Sequence, residues 1–394
     1  MKVLIIHNSY QQYGGEDAVV KMEASLLESH GNLAGVHTVS NDQISGGINK
    51  ILTALGTVFS LPGYRSIRRK LRTDRPDVVH VHNFFPLLSP SVFYACHSEG
   101  VPVVLTLHNY RIICPTALLM HQGQITEASI TRGPWWSLKH KVYRSSWIGT
   151  LLLCLMISFH NRVGTWKIKV DAFIVLTNFA KNKFTEAGLP PEKMYVKPNF
   201  VDRPEFICNE LKSGLLFVGR LSPEKGVDTL LQATRLAHIK PEEVFVAGDG
   251  PLYDTAAAWP ITFLGKLTPD QVKLQMQRSV ALLLPSVWYE GFPMVLVEAY
   301  ATGLPVIASR GGALAELVED GVTGLLFDPN DPNDLADKMR WALNHQNDMK
   351  SMGLSARRRF EERYTPQRNY EQLLQIYNQA IDTHSQKRST SKNA

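Results

Sequence analysis

Short apolar runs alternate with stretches of helical spacing along the whole chain, and this alternation leaves few folds open. The runs fall at 3–6, 78–81, 103–107, 171–176, 215–219, 244–250, 280–284 and 306–309. Each is short and without polar alternation, the signature of a strand buried on both faces of a parallel sheet. Helical patterns such as 17–29 and the stretch from Val227 onward separate them, so each half of the chain reads as a doubly wound parallel α/β sheet. At 394 residues the chain also exceeds the size at which one core stops growing, which predicts two domains. The breaker-rich Lys197-Pro-Asn-Phe-Val-Asp-Arg-Pro204 is the natural linker. The expected division is 1–197 and 198–365, followed by a helix over 366–381 and a flexible polar tail over 384–394.

Charge narrows the partners. Residues 1–200 hold 21 Lys/Arg against 12 Asp/Glu, or +9; the remainder hold 21 against 24, or −3, which sums to the net +6. A basic half suits an anionic membrane or a phosphorylated substrate, and no nucleic-acid motif accompanies it. The four cysteines, Cys96, Cys114, Cys154 and Cys208, have neither paired metal spacing nor a dense disulfide pattern, as in a reducing compartment. The apolar run at 3–6 is too short for a signal peptide, so a cytoplasmic location is expected.

Two stretches carry the chemistry. Trp288-Tyr-Glu-Gly-Phe-Pro-Met-Val-Leu-Val-Glu298 puts two carboxylates on one short helix and its entry loop. Gly291 would allow an unusual loop conformation, Pro293 suits the first helical position, and Gly303 suits the cap that ends the helix. The free amides from Phe292 through Met294 to Val295 and the positive end of the helix dipole favour an anion, while Glu290 and Glu298 favour hydroxyls. A nucleotide-sugar has both. The second stretch, Arg220-Leu-Ser-Pro-Glu-Lys-Gly226, sets two cations beside a helix start, where acids are the usual choice. Arg220 as a fork and Lys225 as a point charge would grip a diphosphate; the alternative is an ion pair with Glu224 or another neighbour. No Asp-x-Asp pair occurs, so neither a metal clamp nor any cofactor is expected.

Other positions are weaker pointers. Gly14-Gly15, between the first strand and its helix, allows close approach to a phosphate or is plain turn geometry. His108 ends the run 103–107, at the sheet edge where ligands gather. His80 and His82 alternate within a strand and read as structural. Two segments could rest on anionic lipid: 48–75, where apolar Leu52, Leu55, Val58 and Phe59 run into Arg65, Arg68, Arg69, Lys70 and Arg72, and 134–170, where Trp135, Trp136, Trp147 and Trp166 flank the apolar run 148–159. Twelve apolar residues cannot span a bilayer, and an ordinary buried helix is the competing reading.

Gly14-Gly15-Glu16, His108, Gly219-Arg220 with Glu224-Lys225-Gly226, Gly248-Asp249-Gly250, and Glu290 with Glu298 seven residues apart resemble, in this order, glycosyltransferase family 4. The resemblance covers nearly the whole chain. It implies the GT-B fold, with two Rossmann-like domains facing across a cleft and the donor held mostly by the second. Arg220 and Lys225 would hold the donor diphosphate, Glu298 the ribose, and Glu290 with the amides after Gly291 the sugar. Gly14 and Gly15 would close over the phosphates, and His108 would lie beside the transferred sugar. It further implies retention of anomeric configuration by front-face attack, without a metal. Members with a similar His-Asn-Tyr-Arg stretch often carry cysteines near the positions of Thr126 and Ser129, which this chain lacks.

The expected activity is therefore transfer of a sugar from a UDP- or GDP-sugar to a glycan, favouring a lipid-linked oligosaccharide acceptor, in polysaccharide or glycoconjugate biosynthesis. The protein would be cytoplasmic or peripheral on the inner face of the cell membrane, with no nucleic-acid partner. The rival readings are a nucleotide-sugar epimerase or phosphorylase-like enzyme of the same fold, and a non-catalytic nucleotide-sugar-binding partner of another transferase.

Overall fold

The computed structural model describes residues 1–9, 14–40, 56–202 and 212–392. Tyr13, Cys208, the last two linker residues Arg203 and Pro204, and the amphipathic stretch 48–55 lie outside the described residues. The chain divides into two compact units. One comprises Met1–Leu119, Thr126–Pro198 and Asn369–Ala394; the other comprises Met120–Ile125 and Asn199–Arg368.

The first unit is built on β1 (Val3–Ser9), β2 (Leu33–Ser40), β3 (Val78–Asn83) and β4 (Val103–Leu107). A small antiparallel pair, β5 (Met120–His121) and β6 (Gln124–Ile125), interrupts the series and groups with the second unit. β7 (Ala172–Val175) and β8 (Met194–Val196) complete a six-stranded sheet of order β2-β1-β3-β4-β7-β8 with every pairing parallel. β1, β3, β4 and β7 are fully or almost fully buried, which is why their runs lack alternation. One face packs Val3, Ile5, Val78, Val104 and Ile174 against Val20 and Leu27 of the helix Gly15–Ser29 and against Leu373, Ile376, Tyr377 and Ala380 of the last helix.

That last helix, Pro366–Lys392, runs through the region read as a frayed tail. Asp171 explains its persistence: the carboxylate accepts from His384 at 3.1 Å and from Lys387 at 2.9 Å, fixing the polar end of the helix to the sheet edge. Removing the Leu373 side chain should accordingly cost the first unit about 2–5 kcal/mol. A chemical-denaturation shift below about 1 kcal/mol for Leu373→Ala would show that the helix is not part of this core.

The second sheet comprises β9 (Leu215–Val218), β10 (Val244–Ala247), β11 (Thr262–Gly265), β12 (Ala281–Leu284), β13 (Val306–Ser309) and β14 (Gly324–Phe327), in the order β11-β10-β9-β12-β13-β14, again wholly parallel. Strand order reverses between β9 and β12 here, and between β1 and β3 in the first unit. At such a reversal the crossovers leave to opposite faces and open a crevice at the strands' carboxyl ends. In the second unit the loops after β9 and β12 meet there. Gly226 is left-handed, with φ 71°, and a Cβ on it would lie 1.8 Å from the carbonyl oxygen of Pro285.

An alanine at 226 should therefore be destabilising twice over, by conformation and by collision with backbone, for a total of about 2–5 kcal/mol. Gly321 is a matched control, since its φ is 75° and nothing lies within 4 Å of its added Cβ. In thermal melts Gly321→Ala should lose about 1 kcal/mol. Equal losses in the two variants would refute the close-approach account.

Candidate active site

At the β9/β12 reversal, the strand-to-helix loop contributes Arg220 and Lys225, and the loop after β12 contributes Ser286, Trp288 and Glu290. Val287 N–H donates to the Glu224 carbonyl at 3.0 Å, tying the loops together. Lys225 Nζ then lies 2.6 Å from Glu290 Oε1 and 5.6 Å from the Trp288 ring centre. Ser286 Oγ donates to the same Oε1 at 2.6 Å. The ion pair anticipated as an alternative for Lys225 is thus real, but its partner is Glu290; Glu224 accepts from Ser222 instead, at 2.6 Å. Glu290 is 5% exposed, and its second oxygen has no partner among the described residues. Arg220 is exposed, and its guanidinium is unpaired among the described residues.

The helix after this loop spans Met294–Ala301. Pro293 is its N-cap rather than its first residue, because its ψ of 112° is extended. Gly291 is not left-handed, so its predicted conformational role falls to Gly226. Thr302 caps the other end and Gly303, with φ 68°, follows as the left-handed residue. Leu296 N–H bonds to Pro293, whereas the amides of Gly291, Phe292, Met294 and Val295 have no acceptor among the described residues. Those of Met294 and Val295 are orphan donors of the helix start, and those of Gly291 and Phe292 precede its N-cap. Glu298 is half-buried with no partner among the described residues, and burial raises its carboxyl above the usual carboxylate range. The Trp288 indole N–H is also buried without a hydrogen-bond partner.

In the first unit, Gly14 is the extended N-cap of the helix Gly15–Ser29. Its N–H is already taken by Asp17 Oδ2 at 2.9 Å, and Asp17 Oδ1 faces His7 Nε2 at 2.9 Å. His108, just past β4, is half-buried, with Nε2 3.0 Å from His82 Nδ1. Burial and the neighbouring His82 hold His108 well below the ordinary histidine range. His80 is structural as read, with Nδ1 against the Tyr377 hydroxyl at 2.8 Å and Nε2 against Thr106 at 2.7 Å. His82 lies between His108, 3.0 Å from its Nδ1, and Glu23, whose Oε2 is 3.4 Å from its Nε2.

Of the anticipated residues, Arg220, Lys225, Glu290, Gly291, Phe292, Pro293, Met294 and Glu298 belong to the second unit and gather around one reversal point, while Gly14, Gly15 and His108 belong to the first. Sequence reasoning passed over Ser286, Trp288, Glu23 and Lys197. Glu23 had a legible signal: it shares the core-facing stripe of Val19, Val20 and Leu27, where an acid is out of place without a partner. Ser286 and Trp288 gave none, because their roles depend on which loop faces them.

The sequence matches two family models, Glycosyltransferase Family 4 over residues 34–204 and Glycosyl transferases group 1 over residues 202–359. An uncharacterized glycosyltransferase of Methanocaldococcus jannaschii is 32% identical over 220 residues, which is 54% of this chain and only 60% of that protein's length. The glycogen synthase of Mycobacterium tuberculosis is 29% identical over 347 residues, covering 82% of this chain and 74% of the enzyme. Among solved structures, Anabaena HepE in complex with UDP superposes with a TM-score of 0.63 at 19% identity, over 98% of this chain and all of that one, and it has also been solved with UDP-glucose. Sucrose-phosphate synthase from Thermosynechococcus elongatus superposes with a TM-score of 0.69 at 17% identity, over 96% of this chain and 99% of that one. Sequence matches over both halves and two wholly parallel α/β sheets agree: the chain belongs to glycosyltransferase family 4, of the GT-B fold.

Proposed function

We propose that this chain transfers a hexosyl or N-acetylhexosaminyl group from a UDP- or GDP-sugar to a lipid-linked glycan, with retention of configuration and without a metal. One observation carries the reading: at a single reversal point the second unit collects a lysine held by a carboxylate together with an arginine, four amides and a half-buried carboxylate that have no partner among the described residues. Arg220 forks onto the diphosphate, Lys225 adds a point charge, and the amides of Gly291, Phe292, Met294 and Val295 complete the anion cradle. Glu298 takes the ribose hydroxyls, which restore to its carboxylate the donors that burial removed. Glu290 turns its free oxygen to the sugar. UDP and UDP-glucose in HepE support a nucleotide-sugar donor.

The residues favour front-face transfer. The bond between the anomeric carbon and the leaving phosphate oxygen breaks as charge develops on the diphosphate, where the cations and amides already point. The acceptor oxygen bonds to the same face of that carbon, and its proton passes to the departing phosphate oxygen. Glu290 is poorly suited to covalent attack, since Lys225 and Ser286 already hold its Oε1. His108 and the Gly14-Gly15 turn stand at the carboxyl ends of strands in the first unit, the usual place for substrate contacts.

The lipid acceptor rests on the helix Trp147–Arg162. Its buried side includes Leu153, Cys154, Met156, Ile157 and His160. The opposite side leaves Ile148 64% and Phe159 48% exposed, with Leu155 and Val163 on the same stripe and Trp147 51% exposed beside it. Lys139, Lys141, Arg144, Arg162 and Lys167 are exposed around it, a basic rim suited to anionic headgroups. Trp166 is buried and Trp136 bonds to Ser129, so neither shares this surface. The helix Leu61–Asp74 is a weaker candidate. Its apolar Ile67 and Leu71 are buried, Arg68 and Arg72 share Glu99, and Lys70 pairs with Asp74. Among the described residues no helix is long and apolar enough to cross a membrane.

Thermal melts with UDP, GDP, ADP, UDP-sugars and GDP-mannose, with EDTA present, test the donor claim. One nucleotide series at 100 times its dissociation constant should add about 2.7 kcal/mol. Arg220→Ala should abolish that shift and lower turnover on the order of 10²-fold. No shift with any nucleotide would sink the donor assignment, and release of free or isomerised sugar without an acceptor would favour the epimerase reading. For the acceptor surface, Ile148→Asp with Phe159→Asp should reduce flotation with phosphatidylglycerol vesicles roughly tenfold or more. Flotation unaffected by these changes, or absent from the unaltered protein at low salt, would refute the lipid surface.

A further inference from the structure

Beneath the first unit's sheet edge lies a row of ionisable side chains that the transfer chemistry above does not use. Glu23 and Lys197 are both fully buried, and Lys197 Nζ donates to Glu23 Oε1 at 2.6 Å. Among the described residues neither Glu23 Oε2 nor His82 Nε2 makes a hydrogen bond, yet the two buried atoms face each other at 3.4 Å, and Oε2 is 3.7 Å from His80 Nδ1. Both nitrogens of His80 are occupied by Tyr377 and Thr106. His82 continues the row: its Nδ1 is 3.0 Å from His108 Nε2, and the two rings stack with centres 5.3 Å apart at 19°. His7, the remaining ionisable neighbour of His82, is tied to Asp17.

Donor and acceptor bookkeeping along this row has one consistent solution. Burial first, and then His7 and Lys197 beside His82 and His82 beside His108, hold both rings well below the ordinary histidine range, so at neutral pH each ring is neutral and carries one N–H. Glu23, paired with the Lys197 ammonium, can only accept. An unprotonated His82 Nε2 would set a lone pair against a buried carboxylate oxygen, so Nε2 carries the proton. His82 Nδ1 is then an acceptor, and His108 Nε2 must donate to it. We infer that Glu23 and His82 are positioning residues that lock His108 in its Nε2–H tautomer, so that its remaining nitrogen, Nδ1, accepts a hydrogen bond or a proton from a ligand hydroxyl and does not donate one. Nδ1 has no partner among the described residues.

Glu23, His80 and His82 also bring ligand-type atoms within 4.8 Å of one another, which raises the possibility of a metal ion. A cation there would have to displace the Lys197 ammonium from Glu23 and compete for a His80 already bonded at both nitrogens. The row with Lys197 on Glu23 and the proton of His82 Nε2 turned toward Glu23 Oε2 is the better account. It stands whether or not the transfer reaction is as proposed.

The test is spectroscopic. Full-length protein labelled with ¹⁵N in its histidine rings is studied at neutral pH by long-range ¹H–¹⁵N correlation, with the His108 signals identified by their loss in His108→Gln. The expected pattern is a protonated Nε2 and a pyridine-type Nδ1 on His108, and the same on His82. In Glu23→Gln the new amide can give its oxygen to Lys197 and its NH2 to His82 Nε2, which reverses both rings and leaves His108 protonated at Nδ1. A merely structural Glu23 would not invert a tautomer two side chains away. An Nδ1–H tautomer or an imidazolium at His108 in the unaltered protein overturns the inference, so it remains decidable even if Glu23→Gln does not fold. An unchanged His108 pattern in folded Glu23→Gln overturns it too, as does stoichiometric zinc in the purified protein that shifts the His80 and His82 resonances.

Discussion

The second unit's candidate site depends on a backbone contact between two loops distant in sequence. Gly226 passes against Pro285 at a separation no side chain would permit, and the hydrogen bond from Val287 to Glu224 holds it there. Only because the backbones touch can Lys225 and Glu290 meet at 2.6 Å. The pair contributes little net stability, since desolvating both groups offsets much of their attraction. Its effect is geometric: a long, flexible lysine chain is held in one place against Glu290, while Arg220, unpaired among the described residues, adds net positive charge.

The two units solve the same topological problem with opposite electrostatics. At the β9/β12 reversal the charges are partly open and four amides lack an acceptor among the described residues. Beneath the first unit's sheet edge the ionisable groups are sealed and balanced internally, with Lys197 against Glu23 and neutral histidines between Glu23 and the edge. The basic surplus of the first half therefore does not converge on its reversal point. Much of it is neutralised locally, by Glu99 and Asp74 against the basic side chains of the helix Leu61–Asp74 and by Glu127 and Glu186 around Lys183. The exposed remainder includes the group beside the helix Trp147–Arg162.

The runs 103–107 and 306–309 coincide with strands, and the other anticipated runs differ from theirs by a few residues at most, because burial on both faces removes polar residues from them. The edge strands β2 and β8 were not legible. Leu33–Ser40 is half-exposed and contains Gly35, and Met194–Val196 is only three residues long, so neither presents an apolar block. The helix at 294 was legible from its flanking breakers, though its first residue was misplaced by one, since proline suits both the N-cap and the position after it. Motif spacing located Arg220, Lys225, Glu290 and Glu298. It could not show that Lys225 and Glu290 would be bonded partners, a fact decided by strand order. Nor could it reveal the link from Glu23 to His108, which depends on a helix face, two strands and Lys197 meeting in the interior.

The last helix has a consequence for how the protein is made. His80, in the middle of the first sheet, finds its hydroxyl partner in Tyr377, 297 residues downstream. A ribosome completing the first unit's strands has not yet built the helix that covers one of their faces, and the second unit must be synthesised in between. During that interval Val3, Ile5, Val78, Val104 and Ile174 lack part of their apolar cover. The second unit, whose six-stranded sheet comes from one continuous stretch of sequence, is free to fold first despite being made later. The nascent first unit is thus a natural client for chaperones, and closing it is a late, long-range step in maturation.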